Sequence, residues 1–169
     1  MANIEKELNP VDFITIGTVG PKGQRVFHLQ AGKTGDIVSL TIEKEQAFAL
    51  GEAIRELLDD LDKRFPHLEG RTTADLSQMN MDLREPIEPM FRVAQMGLGY
   101  DEDRDLVVLV AQELLTVSED EDPETLEPGV VRLWCSREQM AALSAQALQT
   151  VQAGRPDPKL NGRIVYYWT

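Results

Sequence analysis

Residues 43–54 read EKEQAFALGEAI, and residues 136–147 return as SREQMAALSAQA, each directly after a short run of β-branched and other apolar residues. A strand-to-helix junction written twice constrains a chain more than any single motif, because both copies must find similar surroundings. Sliding the first half forward by 93 positions superposes Val38 on Val131, Leu40 on Leu133, Glu45 on Glu138, Gln46 on Gln139, Ala49 on Ala142 and Leu50 on Leu143. Such junctions also favour similar residues independently, since Ser136 suits an N-cap and an early Glu or Gln satisfies free N–H groups. The order of the flanking elements favours duplication.

In the first half, DFITIGTV from Asp12 runs into the turn cluster GPKG, and QRVFHLQA from Gln24 follows as the second arm of a hairpin. Its alternation puts Phe27, Leu29 and Ala31 on one face and Gln24, Val26, His28 and Gln30 on the other. After GKTGD, the segment DIVSLTI gives a third strand. From Glu43 the period changes. Ala47, Leu50, Ile54, Leu57, Leu58, Leu61 and Phe65 recur at three- and four-residue steps, an amphipathic helix that Pro66 ends. Residues 66–86 carry little period and read as a linker between the halves.

The second half repeats the sequence of events. PMFRVAQMGLGY, DLVVLVAQELLTV and VVRLWC predict strands, separated by DEDRD and by the acidic loop SEDEDPETLEPG, and a helix from Ser136 closes at Gly154. The expectation is one α+β domain built from two βββα units, 12–65 and 87–154, with a tail over 155–169. Short turns predict antiparallel neighbours. The run Leu106–Ala111 is apolar on both pleat faces, which predicts a central strand covered on each side. Either the sheet curls into barrel-like layers, the favoured reading, or a second subunit covers it in a homodimer.

Composition narrows the partners. With 29 acidic against 17 basic residues the net charge is −12, a field that repels phosphodiester backbones and anionic lipid surfaces, so neither nucleic acid nor membrane is expected. No apolar run reaches the length of a membrane span, and MANIEKELNP alternates charges where a signal peptide would be apolar, so a cytoplasmic protein is expected. One cysteine, Cys135, excludes an internal disulfide and suits a reducing compartment.

Candidate chemistry is sparse. Gly17, Gly20 and Gly23 sit between two strands rather than before a helix, the wrong context for a phosphate loop. DEDRD imitates the opening of a calcium loop, yet Leu106 stands where Gly is needed and Gln112 where a bidentate Glu is needed. That stretch and the acidic loop read as solvated turns. His28, His67 and Cys135 lie too far apart in sequence to suggest a metal site, so no metal and no cofactor is expected, and Cys135 reads as an inert buried thiol. Neither a GxSxG elbow nor HExxH is present, leaving catalytic residues unassigned. The best polar group is Gln24, Arg25, His28 and Gln30, the candidate ligand-binding residues.

Taken together, GTVGPKGQRVFHLQAG, the junction IEKEQ, FRVAQMGLGYDEDRD and AGRP resemble a family of bacterial, chiefly actinobacterial, proteins of unknown function. Its members share GTVGxxGQRxFxLQA and an FRV-type strand, and many end in a Cys- and His-rich zinc-ribbon-like segment. Here Gly154-Arg155-Pro156 leads into DPKLNGRIVYYWT without cysteine, so that metal site does not carry over. The resemblance implies no established activity and no catalytic residues. Neighbouring phosphomutase-like and lipid-kinase-like genes in the family imply a link to phosphate metabolism or signalling. The expected function is a non-catalytic binding or adaptor protein that meets a protein partner through a sheet face, the tail or the groove between its halves. The alternative is an enzyme or sensor for a small phosphorylated metabolite, using Arg25 and the Gln24, His28, Gln30 face.

Overall fold

The computed structural model describes residues 5–21, 23–65, 79–116, 119–120, 122 and 126–153. Seven strands and two helices follow in the order β1 (Glu5–Leu8), β2 (Phe13–Val19), β3 (Val26–Lys33), β4 (Asp36–Ile42), α1 (Lys44–Arg64), β5 (Pro89–Asp101), β6 (Leu106–Glu113), β7 (Val130–Cys135) and α2 (Arg137–Ala153). The expected α+β class holds, with strand, strand, strand, helix in each half. His67, the first part of the linker, part of the acidic loop, Gly154 and the tail lie outside the described residues.

All seven strands form one sheet in the order β1-β7-β6-β5-β4-β3-β2, and it is not closed into a barrel. Within each half the neighbours are antiparallel, as short turns require. Between the halves the expectation fails: β4 pairs with β5, and β7 with β1, in parallel. Here the connection is long or comes from the other half, so turn length places no restriction on direction.

The two edge strands, β1 and β2, are consecutive in the chain. Residues 9–12 join them, and five Cα steps of about 3.8 Å bring the two edges within about 19 Å. Backbone bonds draw them closer, with Val11 N–H donating to the Trp134 carbonyl at 2.8 Å and Asp12 N–H to that of Gly32 at 2.7 Å. The sheet therefore curls strongly while its ladder stays open.

One face of the sheet carries the helices. Ile14 and Ile16, Phe27 to Ala31, Val38 to Ile42, then Val107, Leu109, Leu133 and Cys135 point their apolar side chains toward Ala47, Leu50, Ile54, Met140, Leu143 and Ala147. In β5 the alternation changes at a bulge. Phe91 and Val93 are buried before it, whereas Met96, Leu98 and Tyr100 pack on the core after it. The expectation for Leu106–Ala111 is corrected: Val107, Leu109 and Ala111 are buried, while Leu106, Val108 and Val110 stay half-buried. Among the described residues, no second layer seals that outer face.

The echo has a structural meaning. Gln46 Oε1 accepts from Glu43 N–H at 2.7 Å, and its Nε2 donates across to the Val93 carbonyl at 3.0 Å. Gln139 does the same one repeat later, accepting from Ser136 N–H at 2.9 Å and donating to the Val11 carbonyl at 3.2 Å. One amide thus caps a helix and fixes it to the neighbouring backbone, in β5 at Val93 and in the joint before β2 at Val11. The helices cross where the repeat places equivalent positions, Gly51 and Ser144, and the Ser144 hydroxyl donates to the Gly51 carbonyl at 2.7 Å. A Cβ on Gly51 would lie 2.8 Å from Leu148 Cγ and 3.3 Å from the Ser144 carbonyl oxygen. Gly51→Val is accordingly expected to cost about 1–3 kcal/mol by forcing the helices apart, measured by urea unfolding, whereas Ala49→Val on an exposed position costs well under half of that.

Candidate functional site

The structure separates the four candidate residues instead of gathering them. Gln24 is exposed in the turn before β3. Arg25 points toward the end of α2, its Nη1 3.5 Å from the Ala153 carbonyl, and lines a pocket of about 370 Å³ with Gly23, Lys44 and Arg92. A guanidinium there suits the negative end of the helix. Arg92 is paired with Glu43 at 2.7 Å, so this corner mixes both signs of charge.

Gln30 lies on the outer face of β3, with 0% of its surface exposed. Residues 79–88 cover that face. Gln30 Oε1 accepts from Arg84 N–H at 2.7 Å, while Nε2 donates to the Arg84 carbonyl at 2.9 Å and to Ser39 Oγ at 3.0 Å. The Thr15 hydroxyl donates to the Met81 carbonyl at 2.6 Å. Leu83 sits against Gly17, where a Cβ would meet its Cγ at 2.8 Å, and the Arg84 guanidinium stacks 3.7 Å from the Phe13 ring centroid. The later part of the linker is therefore a strap, bonded through its backbone, and the Gln30 amide is held by protein groups.

His28 sits at the margin of the strap. It is 6% exposed and faces Gly17 and Thr41 across the ladder. It forms the floor of an open groove of about 650 Å³ whose walls are Val19, Glu85, Pro86, Ile87 and Pro89. Nδ1 is buried without a hydrogen-bond partner among the described residues. Burial lowers the imidazole pKa and the Leu40 backbone carbonyl acts against that shift, leaving the ring neutral near pH 7.

A second groove, of about 360 Å³, lies between the halves. Ala49, Leu50 and Ala53 of α1 form one wall, and Ala94, Met96, Gly97 and Leu98 of β5 the other. Here the repeat is unequal. On the equivalent side α2 lies close along β2, and Gln146 Nε2 donates to the Ile16 carbonyl at 3.2 Å. The 93-residue register puts Ala53 where Gln146 stands, and five residues beyond the glutamine-bonded Val93 and Val11 stand Leu98 and Ile16; α1 stands off from β5. β4 pairs with β5 only as far as Arg92, so beyond Ala94 the outer backbone edge of β5 has no partner among the described residues.

The sequence pattern missed one buried charge. Arg137, the first residue of α2, is 8% exposed and joins four groups. Its Nε donates to Asp105 at 2.8 Å, Nη1 to Asp62 at 3.3 Å, and Nη2 to the Phe65 carbonyl at 2.5 Å and Tyr100 Oη at 3.1 Å. Tyr100 in turn donates to Asp105 at 2.6 Å, and burial with that carboxylate beside it pushes the phenol pKa up. Asp105 is thus no solvated turn residue. Asp101 does shape the turn, accepting from Asp103 N–H at 3.0 Å and pairing with Arg104. No cluster of three or more metal-binding side chains occurs among the described residues. Cys135 is buried and its thiol pKa is pushed far up by desolvation, which leaves it unreactive.

The model of a family described as "Protein of unknown function (DUF3090)" matches residues 6–163, nearly the whole chain. The chain belongs to the DUF3090 family. Neither a curated protein nor a solved structure matches it. The DUF3090 match spans both halves, so the grooves lie within the family domain, and no activity comes with it.

Two consequences are measurable. Because burial holds the folded-state pKa of His28 below 6.5, the unfolded chain takes up the proton first, so stability declines as pH falls through about 6.5 and levels off below the folded-state value. His28→Gln is expected to flatten that part of a stability-versus-pH curve measured by urea unfolding. Arg137→Met removes the bonds to Asp105, Asp62, Tyr100 and the Phe65 carbonyl, with Tyr100 still donating to Asp105, and is expected to cost about 1–3 kcal/mol in the same assay at pH 7.

Proposed function

We propose that this DUF3090 protein is a non-catalytic binding protein of the cytoplasm that receives an extended segment of a protein partner in the groove between α1 and β5. The single observation that carries the reading is the unpaired outer edge of β5 beyond Ala94, set beside an apolar channel. A free strand edge offers alternating N–H and C=O groups, and an added strand satisfies them while its alternate side chains fill the channel. Ala49 and Ala53 leave room that a larger side chain would fill. The buried, unreactive thiol suits a reducing compartment. The surplus of acidic residues favours a basic partner segment over nucleic acid or an anionic membrane. No described helix is long and apolar enough to cross a membrane.

A phosphorylated small ligand is the second reading, favoured by the Arg25 corner with Lys44 and Arg92. Glu43 and Glu45 beside those cations weaken it, since they oppose an anion. A thermal-shift screen separates the two, because a phosphometabolite that stabilises the protein and fails with Arg25→Ala supports the second.

Ala53→Gln tests the first reading directly. Glutamine at that position copies Gln146 and is expected to reach the Leu98 carbonyl, shutting the groove at a helix-propensity cost of a few tenths of a kcal/mol. Affinity capture from a native lysate should then retain a partner reproducibly on the wild type and about tenfold less on the variant, a loss equivalent to about 1.4 kcal/mol. Equal capture by both proteins, or none by the wild type, overturns the proposal.

A further inference from the structure

The corner around Arg25 adjoins the channel between α1 and β5. Glu45 and Arg92 line the corner, and Gln46 and Ala94, one and two residues further along their elements, line the channel. Helix α2 ends at this same corner, because the Arg25 guanidinium that lines it bonds the Ala153 carbonyl at 3.5 Å. Residues 154–169, outside the described residues, follow Ala153 directly in the chain. Their starting point is therefore beside the mouth of the channel, whose β5 edge has no strand partner beyond Ala94 among the described residues.

We propose that residues 164–168 of this same chain occupy the channel as an added strand on the edge of β5, closing it to a partner segment until displaced. As regulation of that channel, the inference rests on the reading of it as a strand-binding groove. Of the sequence outside the described residues, Ile164, Val165, Tyr166, Tyr167 and Trp168 form the one run of β-branched and aromatic side chains, the composition that suits a pleated, half-buried surface. Alternation puts Ile164, Tyr166 and Trp168 on one face and Val165 and Tyr167 on the other, so either face offers the channel apolar groups. Residues 154–163 span up to about 36 Å, whereas the edge over residues 94–98 is about 13 Å long, so the run reaches it in either direction. Charge favours the same contact. Arg155, Lys159 and Arg163 stand against Asp157 alone in this stretch, on a chain of net charge −12. A tether of this length holds the run at an effective concentration on the order of millimolar, which populates even a weak strand contact.

Every second amide of an edge strand points away from its antiparallel neighbour, so hydrogen exchange of the outward amides in 94–98, followed in the purified full chain, reads the occupant with no partner present. Val165→Pro combined with Tyr166→Pro removes whichever of the two N–H groups faces β5 and leaves every described element unaltered. The wild type is expected to exchange those amides about tenfold more slowly than the proline variant. Its capture of a partner from lysate should be weaker by about the same factor, because one population of open channel limits both. The protection should not change on dilution. Equal exchange in the two proteins overturns the proposal, and so does protection that grows with protein concentration, which assigns the strand to a second copy. The two readings fail separately: protection lost in the proline variant, with no partner captured by either protein, keeps the strand assignment and removes the partner, whereas equal exchange with equal capture does the reverse.

Discussion

Residues 5–8 must bond to β7 while residues 13–19 bond to β3, and four intervening residues are all that connect them. β5 meets the same demand in one piece: its start pairs with β4 and the remainder with β6. Each half therefore supplies the strand that covers the other half's last strand, and in both the first strand changes partner midway. A bulge makes that change in β5. The bend through Asn9 to Asp12 makes it between β1 and β2. Backbone hydrogen bonding enforces this arrangement, because an uncovered β4 or β7 would leave a row of buried polar groups unpaired.

Upon that frame the two glutamines set the helices. Gln46 and Gln139 each spend both ends of one amide, capping a helix and holding it beside the strand that has just changed partner. Differences between the halves arise one turn or two further on. Gln146 reaches Ile16 and brings α2 down on β2, while Ala53 has no such reach and a channel stays open. The strap does for the outer face of the first half what nothing described does for the second, sealing Thr15, Gln30 and Ser39 and leaving His28 at its margin.

Much of this was legible in the residues. The change of period at Glu43, the repeated junction and the alternation of Phe27, Leu29 and Ala31 all report burial by a single neighbouring layer, which sequence pattern records well. β1 was not legible. EKEL has no apolar alternation, because the strand is held by its backbone against β7 and only Leu8 is buried. The strap was hidden for a related reason, since its main bonds run through the carbonyls of Met81 and Arg84, which any sequence carries. Arg137 reads as an ordinary charge at a helix start, and its burial depends on Asp62, Tyr100 and Asp105 converging from three other places. Gln30 and His28 were singled out together as polar residues on one strand face. Pattern alone could not tell that one is consumed by the strap and the other left beside it.

The short joint from Asn9 to Asp12 has a bearing on cooperativity. Freeing β1 from β7 pulls directly on β2 and so on the hairpin it forms with β3, while freeing β4 from β5 loosens the strand that β6 rests on. Neither half can come apart without stripping bonds from its counterpart. A polypeptide laced in this way melts as a unit, and the line between its halves is not a boundary of stability.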